Sequence, residues 1–123
     1  MLTVGVDIIE IDRVEEAIKR RGERFLRRIY TDAELILYRD RLSELAVRFA
    51  GKEAVMKALG TGIRGVGWKE IEILPNRRGK PIVMLHGRAK ERAKLLGLKE
   101  LGISLSHSKA FAVASVVGQG GSL

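Results

Sequence analysis

The sequence predicts an α+β domain: an N-terminal strand, a helical half, then a mostly antiparallel sheet packed with helices. β-branched residues crowd into Leu2–Ile9. Helical spacing and capping signals run from Arg13 to Leu59. After Gly60, short alternating apolar runs are separated by turn residues.

Leu2 to Ile9 is short and β-branched, which predicts a strand. Asp12 suits the N-cap of a helix starting at Arg13, with Glu15 three residues on in the capping-box position and Gly22 as its stop. A second basic helix is expected over Glu23–Ile29. Thr31-Asp32-Ala33-Glu34 is a capping box, so a third helix should run from Asp32 to about Asp40. Leu45, Ala46, Phe49, Ala50, Met56 and Leu59 mark the longest helix, Ser43–Leu59, and Gly60 supplies its end. Glu70–Leu74 and Ile82–Leu85 read as paired strands around the turn Pro75–Pro81. Arg88–Leu96 reads as a helix ending at Gly97, and Gly102–His107 with Phe111–Val117 as a final hairpin.

At 123 residues the chain is expected to form one domain, residues 1–118, with a flexible glycine-rich tail at 119–123. Hydrophobic residues make up 46% and charged residues 31%, a soluble globular balance. Without cysteine there is no disulfide, thiolate metal site or cysteine nucleophile. No apolar run approaches the ~20 residues of a membrane helix, so no membrane partner and a cytoplasmic location are expected. A net charge of +8 calls for an acidic partner. Nucleic acid is disfavoured, because the few aromatic residues do not interleave with the basic run.

Asp7 interrupts an apolar strand between Val6 and Ile8. A carboxylate there is solvated, hydrogen-bonded or bound to a cation, since burying it bare is prohibitive. Glu53 and Lys57 lie four residues apart and share a helix face. They are either an ordinary exposed pair or a site in which Glu53 joins Asp7 on a divalent cation while Lys57 faces phosphates. His107 ends an alternating strand beside Ser106, Ser108 and Lys109, and suits either a backbone contact or a phosphate. His86 has no such cluster and is assigned no role. The run Lys19, Arg20, Arg21, Arg24, Arg27, Arg28 is dense in arginine and reads as an interaction surface as readily as a solvated face.

Val4-Gly5-Val6-Asp7-Ile8-Ile9-Glu10-Ile11, Arg48-Phe49-Ala50, Lys52-Glu53-Ala54, Lys57-Ala58 and Gly60-Thr61-Gly62 together resemble the holo-[acyl-carrier-protein] synthase family, the short 4′-phosphopantetheinyl transferases. Gly79-Lys80-Pro81 and Ile103–Lys109 are similar to further family segments. The resemblance implies transfer of the phosphopantetheine arm of coenzyme A to a serine of an acidic apo acyl carrier protein, in fatty acid biosynthesis rather than polyketide or peptide synthesis. It implies Mg²⁺ held by Asp7 and Glu53, with Ile9 offering no third carboxylate. Glu53, Lys57 and His107 would be catalytic, with Glu53, directly or through water, the first choice of base and a water held by an acidic residue of the carrier the alternative. Arg48, Lys57, Gly60, Gly62 and His107 would bind the coenzyme. Arg13, Arg21, Arg24, Phe25 and Arg28 would meet the carrier, with Phe25 as an apolar anchor. The family's short members further imply a homotrimer with active sites at subunit interfaces.

Overall fold

A computed structural model describes residues 1–121. Strand β1 (Leu2–Glu10) runs directly into α1 (Ile11–Arg21), followed by α2 (Glu23–Ile29), α3 (Asp32–Tyr38) and the long α4 (Leu42–Leu59). A four-residue α5 (Gly62–Gly65) and a 3-10 turn at Trp68–Glu70 lead to the hairpin β2 (Ile71–Pro75) and β3 (Pro81–Leu85). Helix α6 (Gly87–Leu96) precedes the second hairpin, β4 (Leu98–His107) and β5 (Phe111–Gly120). β5 is the centre of a three-stranded antiparallel sheet with β1 and β4 at its edges, while β2 and β3 pair separately.

Local signals and structure part at three places. Asp12 does not cap α1. Ile11 still donates its N–H to Ala110 O at 2.8 Å, so sheet bonding lasts until the helix begins, and Asp12 falls in the first turn, where its charge complements the helix dipole. The proposed tail boundary at 118 is not a structural edge, because Gln119 pairs with Leu2 and Gly120 donates to Met1 O at 2.9 Å. Ser122 and Leu123 of that tail lie outside the described residues. The third difference is that α5 and the 3-10 turn carry too few residues to show a period. The Thr31 capping box forms as expected, with Glu34 N to Thr31 Oγ1 at 3.2 Å and Thr31 N to Glu34 Oε1 at 2.9 Å.

Helix α4 is the axis of the molecule and is enclosed on most sides. One core lies between its second half, the inner sheet face, β2 and α6; the other joins its first half to α1, α2 and α3. β1 approaches α4 so closely that a Cβ on Gly5 would run into the Ala54 carbonyl oxygen and stand 2.9 Å from Ala58 N. Thr3, one strand repeat earlier on the same face, donates to Ala58 O at 2.7 Å. These contacts place Asp7, the next inward position after Gly5, against the same helix.

The opposite sheet face is open. Leu2, Val4, Val6 and Ile8 of β1 and Phe111 and Val117 of β5 are exposed, Val6 at 60%. No helix of the described residues is long and apolar enough to cross a membrane.

Candidate active site

Between Ala50 and Leu59 every residue of α4 is buried except Glu53 and Lys57. They form one opening in an otherwise enclosed helix, and that opening faces β1. Lys57 does not close on Glu53. Its Nζ lies 3.1 Å from Asp7 Oδ1 and 2.9 Å from Val6 O. Glu53 instead shares a hydrogen bond with Asp7.

Burial, then the Asp7 charge and the hydrogen bond with Asp7, push the Glu53 carboxyl up to about 7, against the lowering pull of Lys57. Two neighbouring carboxylates disfavour each other's ionisation, which leaves an oxygen-rich site suited to more positive charge. Their hard oxygen donors fit a hard divalent cation, and a pair of carboxylates completed by water and phosphate oxygens is the usual Mg²⁺ arrangement. Among the described residues no cluster of three or more acidic, histidine or cysteine side chains suits a metal.

Asp7 and Glu53 line a cleft of about 440 Å³ whose walls are mostly apolar. Phe49 stacks on Trp68 with centroids 4.8 Å apart, and on Phe25 at 6.2 Å. Ile63 and Arg13 complete opposite rims. Sequence reasoning missed Phe49, Ile63 and Trp68 as cleft residues. Phe49 lies inside the Arg-Phe-Ala motif, but nothing local signals where Trp68 folds.

A second cleft, about 570 Å³, shares no lining residue with the first. Arg41, Lys80 and His107 give it basic walls, with Gly79 and Pro81 from the β2–β3 turn. His107 is exposed there, its Nδ1 no nearer than 3.3 Å to Ser108 O. Lys80 sits in the Gly-Lys-Pro segment that the sequence singled out; Arg41, at the start of α4, carried no signal. His107 and Asp7 stand on the two outer strands with β5 between them, on the order of 10 Å apart by strand spacing alone. In one copy of the chain they line separate clefts.

Arg48 lines this second cleft but is only 3% exposed, and its donors are committed. Nε donates to Ile73 O at 3.0 Å, Nη1 to Glu44 Oε1 at 2.8 Å and Nη2 to Tyr38 OH at 2.9 Å. The guanidinium also lies over the Tyr38 ring at 3.8 Å. It ties α3, α4 and β2 together while lining the cleft. Gly60 and Gly62 line neither cleft. Gly60 ends α4 in the left-handed region at φ 71°, where its N–H returns to the helix, and Gly62 opens α5.

Phe25 is not a surface anchor. It is 7% exposed, packed between Phe49 and Tyr30, and its ring is part of the apolar floor of the Asp7 cleft. Around it the cationic set divides. Lys19, Arg20 and Arg27 pair with Glu15, Glu16 and Glu23 of their own helices. Arg21, Arg24 and Arg28 are exposed and make no ion pair or side-chain hydrogen bond among the described residues. Arg13 reaches Glu10 only at 3.9 Å and stands on the rim of the Asp7 cleft.

The chain is similar in sequence and fold to one set of proteins. A family model described as the 4′-phosphopantetheinyl transferase superfamily matches residues 3–116. Similar proteins include the holo-[acyl-carrier-protein] synthases of Herpetosiphon aurantiacus, 49% identical over 98% of this chain and 100% of that protein, and of Dehalococcoides mccartyi, 50% identical over 97% and 99%. Among solved structures, the Helicobacter pylori synthase in complex with coenzyme A superposes with a TM-score of 0.86 at 35% identity, covering 94% of this chain and 99% of that one. A Bacillus anthracis synthase in complex with CoA (3′,5′-ADP) gives 0.79 at 37%, covering 97% and 96%.

Proposed function

The chain belongs to the 4′-phosphopantetheinyl transferase superfamily, and from that premise we propose how its two clefts carry out the reaction. It transfers the 4′-phosphopantetheine group of coenzyme A to a serine of apo acyl carrier protein. The serine oxygen forms a bond to the phosphorus that carries the pantetheine arm. The P–O bond to the nucleotide breaks, and adenosine 3′,5′-bisphosphate leaves.

The observation that carries the assignment of the reacting cleft is the Asp7–Glu53 pair. Asp7 and Glu53 would hold Mg²⁺, which would supply positive charge against the pyrophosphate during phosphoryl transfer. Lys57, exposed beside Asp7, faces the pyrophosphate and stabilises the leaving oxygen. Glu53, beside the metal site, is placed to receive the serine proton directly or through water. The basic walls of the second cleft, Arg41, Lys80 and His107, suit the phosphorylated nucleotide end of coenzyme A.

The working unit proposed is an assembly in which one protomer's His107 cleft meets another's Asp7 cleft. The open apolar sheet face of Val4, Val6, Ile8, Phe111 and Val117 supports self-association, and a homotrimer is the form proposed. Arg13, Arg21, Arg24 and Arg28 form the docking surface for an acidic carrier. The place of action is fatty acid biosynthesis in the cytoplasm.

The direct test is to incubate the protein with apo carrier, coenzyme A and Mg²⁺ and weigh the carrier. A gain of one phosphopantetheine is expected. A folded carrier that gains no mass would sink the assignment.

A further inference from the structure

Lys52 precedes Glu53 and points the other way, into the protein. Its Nζ and the carboxylate of Glu34 are both 0% exposed and 2.7 Å apart. The ammonium also donates to Ile71 O at 2.7 Å and to Trp68 O at 3.2 Å, so all three of its donors are used. Both oxygens of Glu34 are engaged: Oε1 accepts from Thr31 N as well, and Oε2 accepts from Ile73 N at 2.8 Å.

Desolvating two charges is expensive, and apolar side chains of similar volume commonly stabilise a core as well or better. A buried pair of this kind is therefore weak grounds for stability. What it adds is direction. The partners of one ammonium come from α3, β2 and the turn at Trp68, so it fixes three elements to one point on α4. On the opposite side of the helix, Ala54 and Ala58 are pressed against Gly5. Glu53 falls between these two restraints, one residue from each.

We infer that Lys52 is a positioning residue for the transfer: tied to Glu34 and to the turn at Trp68, it stops α4 from rolling, so that Glu53 meets Asp7 and the Trp68 wall stays on Phe49. A side chain without those three directed bonds would fill the space but leave the helix free to rotate. A misplacement of about 1 Å at a reacting group can cost on the order of a hundredfold in rate. The inference rests on the placement of Asp7 and Glu53 in the reacting cleft.

The test uses two full-length variants. Lys52→Met/Glu34→Gln removes both buried charges together, so neither is left unpaired. Glu34→Asp keeps both charges and shortens the tether by one methylene. Folding is followed by circular dichroism and by the emission of Trp68, the single tryptophan. Mn²⁺ affinity is read by electron paramagnetic resonance.

For each folded variant, kcat is expected to fall about tenfold or more, with the KM for coenzyme A and for carrier within about twofold of wild type. Mn²⁺ binding should weaken, and Trp68 emission should shift to the red. Wild-type kcat and Mn²⁺ affinity in either folded variant would overturn the inference. If the double variant does not fold, Glu34→Asp carries the test. Misplacement of the metal site itself would show differently, as wild-type protein that binds no Mn²⁺.

Discussion

Lys57 Nζ lies 3.1 Å from Asp7 Oδ1, across the gap between α4 and β1, rather than against Glu53 on its own helix. An i,i+4 Glu–Lys pair on an exposed face is worth only about 0.2–0.5 kcal/mol. Here the lysine crosses to a strand 50 residues away, and burial and the Asp7 charge push the Glu53 carboxyl up. That exchange of partners brings two carboxylates and an ammonium from α4 and β1 to one opening.

Glu53→Gln should abolish transfer and still raise the stability of the metal-free protein at alkaline pH. The sign follows from the raised carboxyl: ordinarily near 4.5, it reaches about 7 in the fold, so the folded chain binds the extra proton between those values. The contribution of Glu53 to stability is present below about 4.5 and is lost as pH rises through 7. Glutamine escapes that loss. Thermal melts without divalent metal at pH 5 and 8 should show the variant gaining on wild type, on the order of 1 kcal/mol after screening of this half-buried group. Near-normal turnover would remove Glu53 from the reaction.

Lys57→Ala should leave the fold intact, because the side chain is largely exposed, yet lower kcat by about 10²–10³-fold. Single-turnover kinetics with coenzyme A in excess would measure the loss at the chemical step. A rise in KM alone would make Lys57 a binding group and not a stabiliser of the leaving oxygen.

Gly5→Ala should destabilise the protein by about 1–3 kcal/mol, read by urea denaturation. The new methyl meets backbone atoms of Ala54 and Ala58, which cannot swing aside, so β1 has to retreat from α4. Asp7 moves with it. Activity per folded molecule should therefore fall too, and a stable variant with full activity would contradict the close approach.

Arg24→Glu and Arg28→Glu should raise the KM for carrier about tenfold at low salt, leave the KM for coenzyme A unchanged, and lose much of that effect in high salt. Arg27→Ala is the comparison, since that side chain already pairs with Glu23 at 3.1 Å. Equal effects on both substrates would argue against a carrier surface there.

Val4→Lys places a charge on the open sheet face opposite Val117. The variant is expected to be monomeric in light scattering and to lose transfer, while circular dichroism remains that of the wild type. An unchanged oligomer would move the interface elsewhere.

Much of the fold was legible because its signals are local. The Thr31 capping box, the left-handed stop at Gly60 and the β-branched run at Leu2–Ile9 act within a few residues, and each formed where those residues stand. The same range explains the misreading at Asp12, where a good capping residue lost to a longer-range sheet bond at Ile11. Burial was the least legible property. The family resemblance sends Arg48 toward the coenzyme and Phe25 toward a partner. In the fold they are enclosed, because Tyr38, Glu44 and Ile73 satisfy the guanidinium while Phe49 and Tyr30 cover the ring.

By itself the sequence determined the α+β class, the order of most elements, the motifs that mark the family, and the residue types able to bind a cation and a phosphate. Those follow from periodicity, caps and side-chain chemistry, which operate over a few residues at a time. Only the tertiary structure decided which groups meet: Asp7 with Glu53 and Lys57, Lys52 with Glu34, and His107 with a cleft apart from all of these. Such pairings depend on how closely β1 can approach α4 and on what encloses the helix. Close packing sets both distances, and it joins residues far apart along the chain.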